Sequence, residues 1–85
     1  MPRFLIERNF VEPQVLTKDA AEGIKHINDE EGIRWLFSFL GPDKRKAYCL
    51  YEAPNAEAIC TAARRANVPA DVVIQVDEIR PEMFV

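Results

Sequence analysis

Histidine occurs once in this chain and cysteine twice, and both scarcities restrict the chemistry open to it. With His26 alone there is no His-x-His or His-x-x-x-His pair, and Cys49 and Cys60 make no Cys-x-x-Cys. No metal-ligand motif can therefore be read from spacing, and His26 reads as a solvated helix residue. Neither cysteine has a histidine near it in the pattern, and no Gly-x-Ser-x-Gly elbow is present, so the usual signatures of nucleophilic catalysis are missing. The three glycines are scattered and form no phosphate-cradling loop. Two cysteines are too few for a secreted disulfide framework. Both lie in apolar patterns and read as buried free thiols of a cytoplasmic protein. Basic charge is not in excess either: 11 Lys and Arg stand against 14 Asp and Glu, a net charge of −3. Nucleic acid and anionic membrane are poor partners for such a surface. No apolar run approaches the roughly 20 residues of a membrane-spanning helix, and Met1–Glu7 does not read as a signal peptide.

What is present is a small globular domain. The 85 residues are 48% hydrophobic and 29% charged, enough for one domain over residues 1–85 and too few for two. A core this small is thin, which favours burial against a second copy.

Strand signals open the chain, with Arg3 to Phe10 alternating: Phe4 and Ile6 point one way, Leu5 and Glu7 the other. Pro13 interrupts the connection that follows. Thr17 is an N-cap, Asp19 suits the first helical turn, and Ala20, Ile24 and Ile27 make the buried stripe of a first helix. Gly32 supplies its left-handed stop. Gly23 costs that helix about 1 kcal/mol relative to alanine, which a close approach to the sheet would explain. Ile33–Leu40 is a second strand, Gly41-Pro42-Asp43-Lys44 a turn, and Lys46–Ala53 a third strand paired with the second as a hairpin. Pro54 ends it and Asn55 caps a second helix that buries Ala56, Ile59, Ala63 and Ala66. Arg64 and Arg65 suit its carboxyl end, and Asn67 and Pro69 stop it. Asp71–Ile79 is a fourth strand. The apolar tail Met83-Phe84-Val85 is expected to dock on the sheet or on a partner.

The order β-α-β-β-α-β predicts an α+β ferredoxin-like sandwich: a four-stranded antiparallel sheet with both helices on one face. Strict alternation assigns Phe4, Ile6, Trp35, Phe37, Phe39, Cys49, Val72, Ile74 and Val76 to the helix-packed face. Leu5, Glu7, Arg34, Leu36, Ser38, Tyr48, Leu50, Glu52, Val73 and Gln75 then fall on the open face. An apolar row of Leu5, Leu36, Leu50 and Val73 on an uncovered sheet calls for a second subunit, hence a two-fold dimer of the dimeric α/β-barrel kind. The polar residues of that face, Glu7, Arg34, Ser38, Tyr48 and Glu52, are the ligand-binding candidates. The blander account of Glu7–Arg34 or Arg34–Glu52 is a cross-strand charge pair.

Pro2-Arg3-Phe4 with Glu7-Arg8, Ile33-Arg34-Trp35 with Ser38, Cys49-Leu50-Tyr51-Glu52-Ala53-Pro54, and Arg64-Arg65-Ala66-Asn67-Val68-Pro69-Ala70-Asp71 together cover most of the chain. They resemble a small bacterial ferredoxin-like family of unknown function that includes a nickel-binding protein. The resemblance implies a dimeric ferredoxin-like protein with nickel as its ion and no established enzymatic activity. Histidines of the nickel-binding type have no counterpart here, where Glu7, Arg8, Asn9 and Thr61-Ala62-Ala63 stand, so no metal ligand carries over. The expected function is a homodimeric binding protein with a small-ligand or metal-ion site between two sheets. The alternative is a cofactor-independent enzyme of the oxygenase or isomerase type using Glu7, Tyr48 or Glu52.

Overall fold

The computed structural model describes residues 1–84, so Val85, the last of the apolar tail, lies outside the described residues. The elements run β1 (Arg3–Asn9), α1 (Lys18–Glu31), β2 (Arg34–Leu40), β3 (Lys46–Glu52), α2 (Ala56–Ala66) and β4 (Val72–Val76), followed by a short 3₁₀ turn, Pro81–Phe84. The sheet order is β2-β3-β1-β4 with every neighbouring pair antiparallel. This is the expected ferredoxin-like α+β arrangement, with β4 ending three residues earlier than the sequence pattern suggests.

Local chemistry sets the helix boundaries. The Thr17 hydroxyl accepts from the Ala20 amide, and the Asn55 side chain accepts from the Ala58 amide, so each helix begins on a filled cap. Gly32 (φ 70°) and Asn67 (φ 56°) take the left-handed conformation and return their amides to the last helical carbonyls. Between β2 and β3 the Gly41 amide donates to Lys46 and the Lys44 amide to Gly41, which closes the hairpin.

The core lies between the sheet and the helices. Phe4, Ile6, Cys49, Tyr51, Ile59 and Ala62 are buried there, and Trp35 and Val73 pack against them. Cys49 is a buried free thiol as expected, whereas Cys60 is half-buried.

Two strands depart from strict alternation. In β2 the pairing shifts between Trp35 and Phe37, so Leu36 is the extra residue of a bulge. Trp35 still faces the helices opposite Tyr51, but Phe37 now sits opposite Leu50 and Phe39 opposite Tyr48, both on the open face. Ser38 and Leu40 consequently share the helix side with Cys49 and Ala47. In β4, Val73 faces Ile6 while Val72, Ile74 and Val76 face Glu7, Leu5 and Arg3. The three residues assigned inward are thus outward, and Val73 and Gln75 inward. The more apolar phase of β4, Val72-Ile74-Val76, is thus the outward one, because the register with β1 and not the period orients the strand.

The amino-terminal half of α1 stands away from the sheet. Ala20 is exposed, Ile24 and Ile27 are only half-buried, and the residue buried on this helix is Asn28. A side chain at Gly23 would meet nothing within 4 Å, so close helix–sheet approach is not the reason for this glycine.

Candidate functional site

The open face is built from three cross-strand rows. At one end lie Arg34, Glu52, Arg3 and Val76; in the middle Phe37, Leu50, Leu5 and Ile74; at the other end Phe39, Tyr48, Glu7 and Val72. The middle row is wholly apolar, and the apolar area extends to both neighbouring rows. Phe39 is 66% exposed, Phe37 and Ile74 each 51%. The Phe37 and Phe39 rings meet edge to face at 5.6 Å.

Charge is confined to the two ends. Arg3 approaches Glu52 at 3.8 Å and Glu78 at 3.0 Å. At the far end Glu7 accepts from Asn9 Nδ2 at 3.2 Å and lies 4.0 Å from Lys46 Nζ, whose ammonium sits 6.0 Å over the Tyr48 ring. Of the five ligand-binding candidates, Glu7, Arg34, Tyr48 and Glu52 are on this face. Within one chain they fall into two groups four residues apart along the strands, about 13 Å. Arg34 lies opposite Glu52, yet the guanidinium nearest that carboxylate is Arg3. Glu7 cannot reach Arg34, because β3 runs between their strands. Ser38 is on the other side of the sheet, turned there by the bulge, where its hydroxyl accepts from Trp35 Nε1 at 2.8 Å.

The helix side holds a second feature. A cavity of about 510 Å³ opens beneath α1 and the preceding connection, with Trp35, Ser38, Cys49 and Tyr51 on its sheet wall. Arg8 and Asn28 border it and are the two buried polar residues of the chain's described part. Arg8 donates to the Pro69 carbonyl at 2.6 Å, and its guanidinium carbon lies 5.8 Å from the Tyr51 ring centre. Burial pushes the Tyr51 phenol above its ordinary pKa, with the Arg8 charge and the Asn28 amide acting the other way. Neither Arg8 nor Asn28 was among the candidate site residues. The signal for Arg8 was in β1, where it follows Phe4 and Ile6 in the inward series; Asn28 follows Ile27 and carries no comparable mark.

His26 is exposed on α1, 3.7 Å from Glu30. Among the described residues no three of His, Cys, Asp and Glu come together as a metal site, and no helix is long and apolar enough to cross a membrane.

Comparison with solved structures finds SCO4226 from Streptomyces coelicolor A3(2) at a TM-score of 0.75 and 23% identity, over 92% of this chain and 99% of that one. At that identity the likeness speaks for the fold. Comparison with curated proteins gives no match. Residues 4–76 match the family model described as nickel responsive protein SCO4226-like, and that span takes in both helices and, apart from Arg3, every strand. The chain belongs to the SCO4226-like family of nickel responsive proteins.

Proposed function

We propose that this protein is a non-catalytic, cytoplasmic binding protein that works as a homodimer. The open face of each sheet covers that of the second copy, and a small ligand or ion is held between them. The observation that carries this reading is the uninterrupted apolar middle row, Phe37-Leu50-Leu5-Ile74, with aromatic and aliphatic neighbours and charge only in the two rows that flank it. Apolar surface of that kind on a flat sheet is a docking surface, and self-pairing about a two-fold axis is the commonest way a small chain covers it. In such a dimer Glu7, Arg34, Tyr48 and Glu52 would come from both copies to the rim of the inter-sheet space.

The family description attaches a nickel response to its members. The residues of a single copy do not fit a nickel centre, since no cluster of three ligating side chains exists among the described residues. Nickel held between the sheets would take carboxylates from both copies, and would bind weakly without imidazole or thiolate. The enzyme alternative would use Glu7, Tyr48 or Glu52, of which Glu52 stands about 13 Å along the strands from the other two.

Sedimentation at micromolar concentration tests the reading. The expected species is a dimer, and Leu50→Asp is expected to give a folded monomer with unchanged circular dichroism. A wild-type chain that sediments as a monomer overturns it. Nickel titration by calorimetry is expected to give no tight stoichiometric site on that monomer.

A further inference from the structure

The cavity under α1 lies on the opposite side of the sheet from the open face, and its lining is chemically one-sided. Its walls are mostly aliphatic and aromatic, with Ile24, Ile27, Leu40 and Trp35 among them. No aspartate or glutamate lines it, whereas Arg8 and Arg65 do. Arg65 is engaged outside by Glu30 at 2.6 Å and Glu31 at 3.5 Å. Arg8 has no acid partner among the described residues: it is 7% exposed, and one neutral carbonyl, that of Pro69, accepts from it. The Pro69 carbonyl and the Tyr51 ring, 5.8 Å from the guanidinium carbon, are neutral neighbours of that charge, so donors of the five-donor fork remain for an acid that enters the cavity. The surrounding apolar wall is also underfilled. A side chain at Gly23 would touch nothing, and Leu40, on the wall, is 49% exposed. The volume of about 510 Å³ lies within the range of pockets for small organic ligands, which combine apolar walls with few polar anchors.

We propose that this helix-side cavity binds a small amphiphilic organic acid, an apolar monocarboxylate whose carboxylate pairs with the Arg8 guanidinium while its apolar body lies along Trp35, Ile24 and Leu40. Guanidinium is suited to this because its planar fork matches a carboxylate in two parallel hydrogen bonds. Asn28, the other buried polar residue, is also on the lining and adds a neutral amide to it. The inter-sheet reading plays no part in this site, and loss of dimerisation would leave it intact.

Trp35 is the sole tryptophan of the chain and forms part of the wall, so its emission reports occupancy. Dodecanoate, kept below its micelle concentration, is expected to shift that emission saturably at one molecule per chain. Dodecanol is expected to bind at least about tenfold more weakly, the scale of a lost charge-assisted hydrogen bond. Arg8→Met is expected to erase the preference for the acid, and Ala20→Phe, at the cavity wall, to weaken both ligands. If Arg8→Met does not fold, the wild-type comparison of acid with alcohol decides. Equal affinity for the two, an acid preference retained in folded Arg8→Met, or binding that leaves Trp35 emission unchanged overturns the proposal.

Discussion

Two single side chains on the helix side, Arg65 and Ser38, give direct tests. Arg65 on α2 reaches Glu30 and Glu31 on α1, and the Arg65 guanidinium lowers the Glu30 pKa below the ordinary glutamate value. A carboxyl lowered in the folded state contributes stability above its unfolded pKa, and that contribution is lost as the pH falls through the folded one. Arg65→Ala is therefore expected to move the Glu30 titration, followed by carboxyl-carbon NMR, back up toward the ordinary value. The change in stability should be small, because both side chains are solvated. Ser38 is the more costly loss. Ser38→Ala leaves the Trp35 indole N–H without its 2.8 Å acceptor, and urea unfolding is expected to show a loss of about 1 kcal/mol. If Ser38 instead lay on the open face, the same substitution would be close to neutral.

Among the elements, α2 is the better anchored helix: Ile59, Ala62 and Ala63 are buried on it, against Asn28 alone on α1. Asn55→Ala removes the acceptor for the Ala58 amide and is expected to lower the melting temperature through a loss of about 1 kcal/mol. The caps, the stops at Gly32 and Asn67, and the element order were legible in the sequence because each rests on a residue type acting within a few positions. The faces of β1 and β3 were legible too, since Phe4-Ile6 and Cys49-Tyr51 alternate cleanly with Glu7 and Glu52. The faces of β2 and β4 were not. In Trp35-Leu36-Phe37-Ser38-Phe39-Leu40 a single bulge residue inverts everything after it, and no residue type marks Leu36 as the extra one. In Val72-Val73-Ile74-Gln75-Val76 the period favours the all-aliphatic phase Val72-Ile74-Val76 inward, and pairing with β1 places Val73 and Gln75 there instead. Ser38 left the candidate set for that reason, and Phe37, Phe39, Val72, Ile74 and Val76 joined the open face.

At the scale of the whole molecule those two inversions enlarge the uncovered apolar surface, because they bring two phenylalanines and three aliphatic residues to the side without helices. An isolated chain gains little from them, since Phe37, Phe39 and Ile74 are each at least half exposed to water. A dimer that buries them gains about 25 cal/mol for each Å² of apolar area removed from solvent, offset by the cost of association. Folding coupled to association makes thermal stability depend on protein concentration. The melting temperature of the wild-type chain is therefore expected to rise over a hundredfold increase in concentration. In the double variant Phe39→Asp, Ile74→Asp it should be independent of concentration, with circular dichroism still showing the folded chain, because neither side chain belongs to the core between sheet and helices. A wild-type melting temperature that does not move with concentration would place the open face outside any dimer interface.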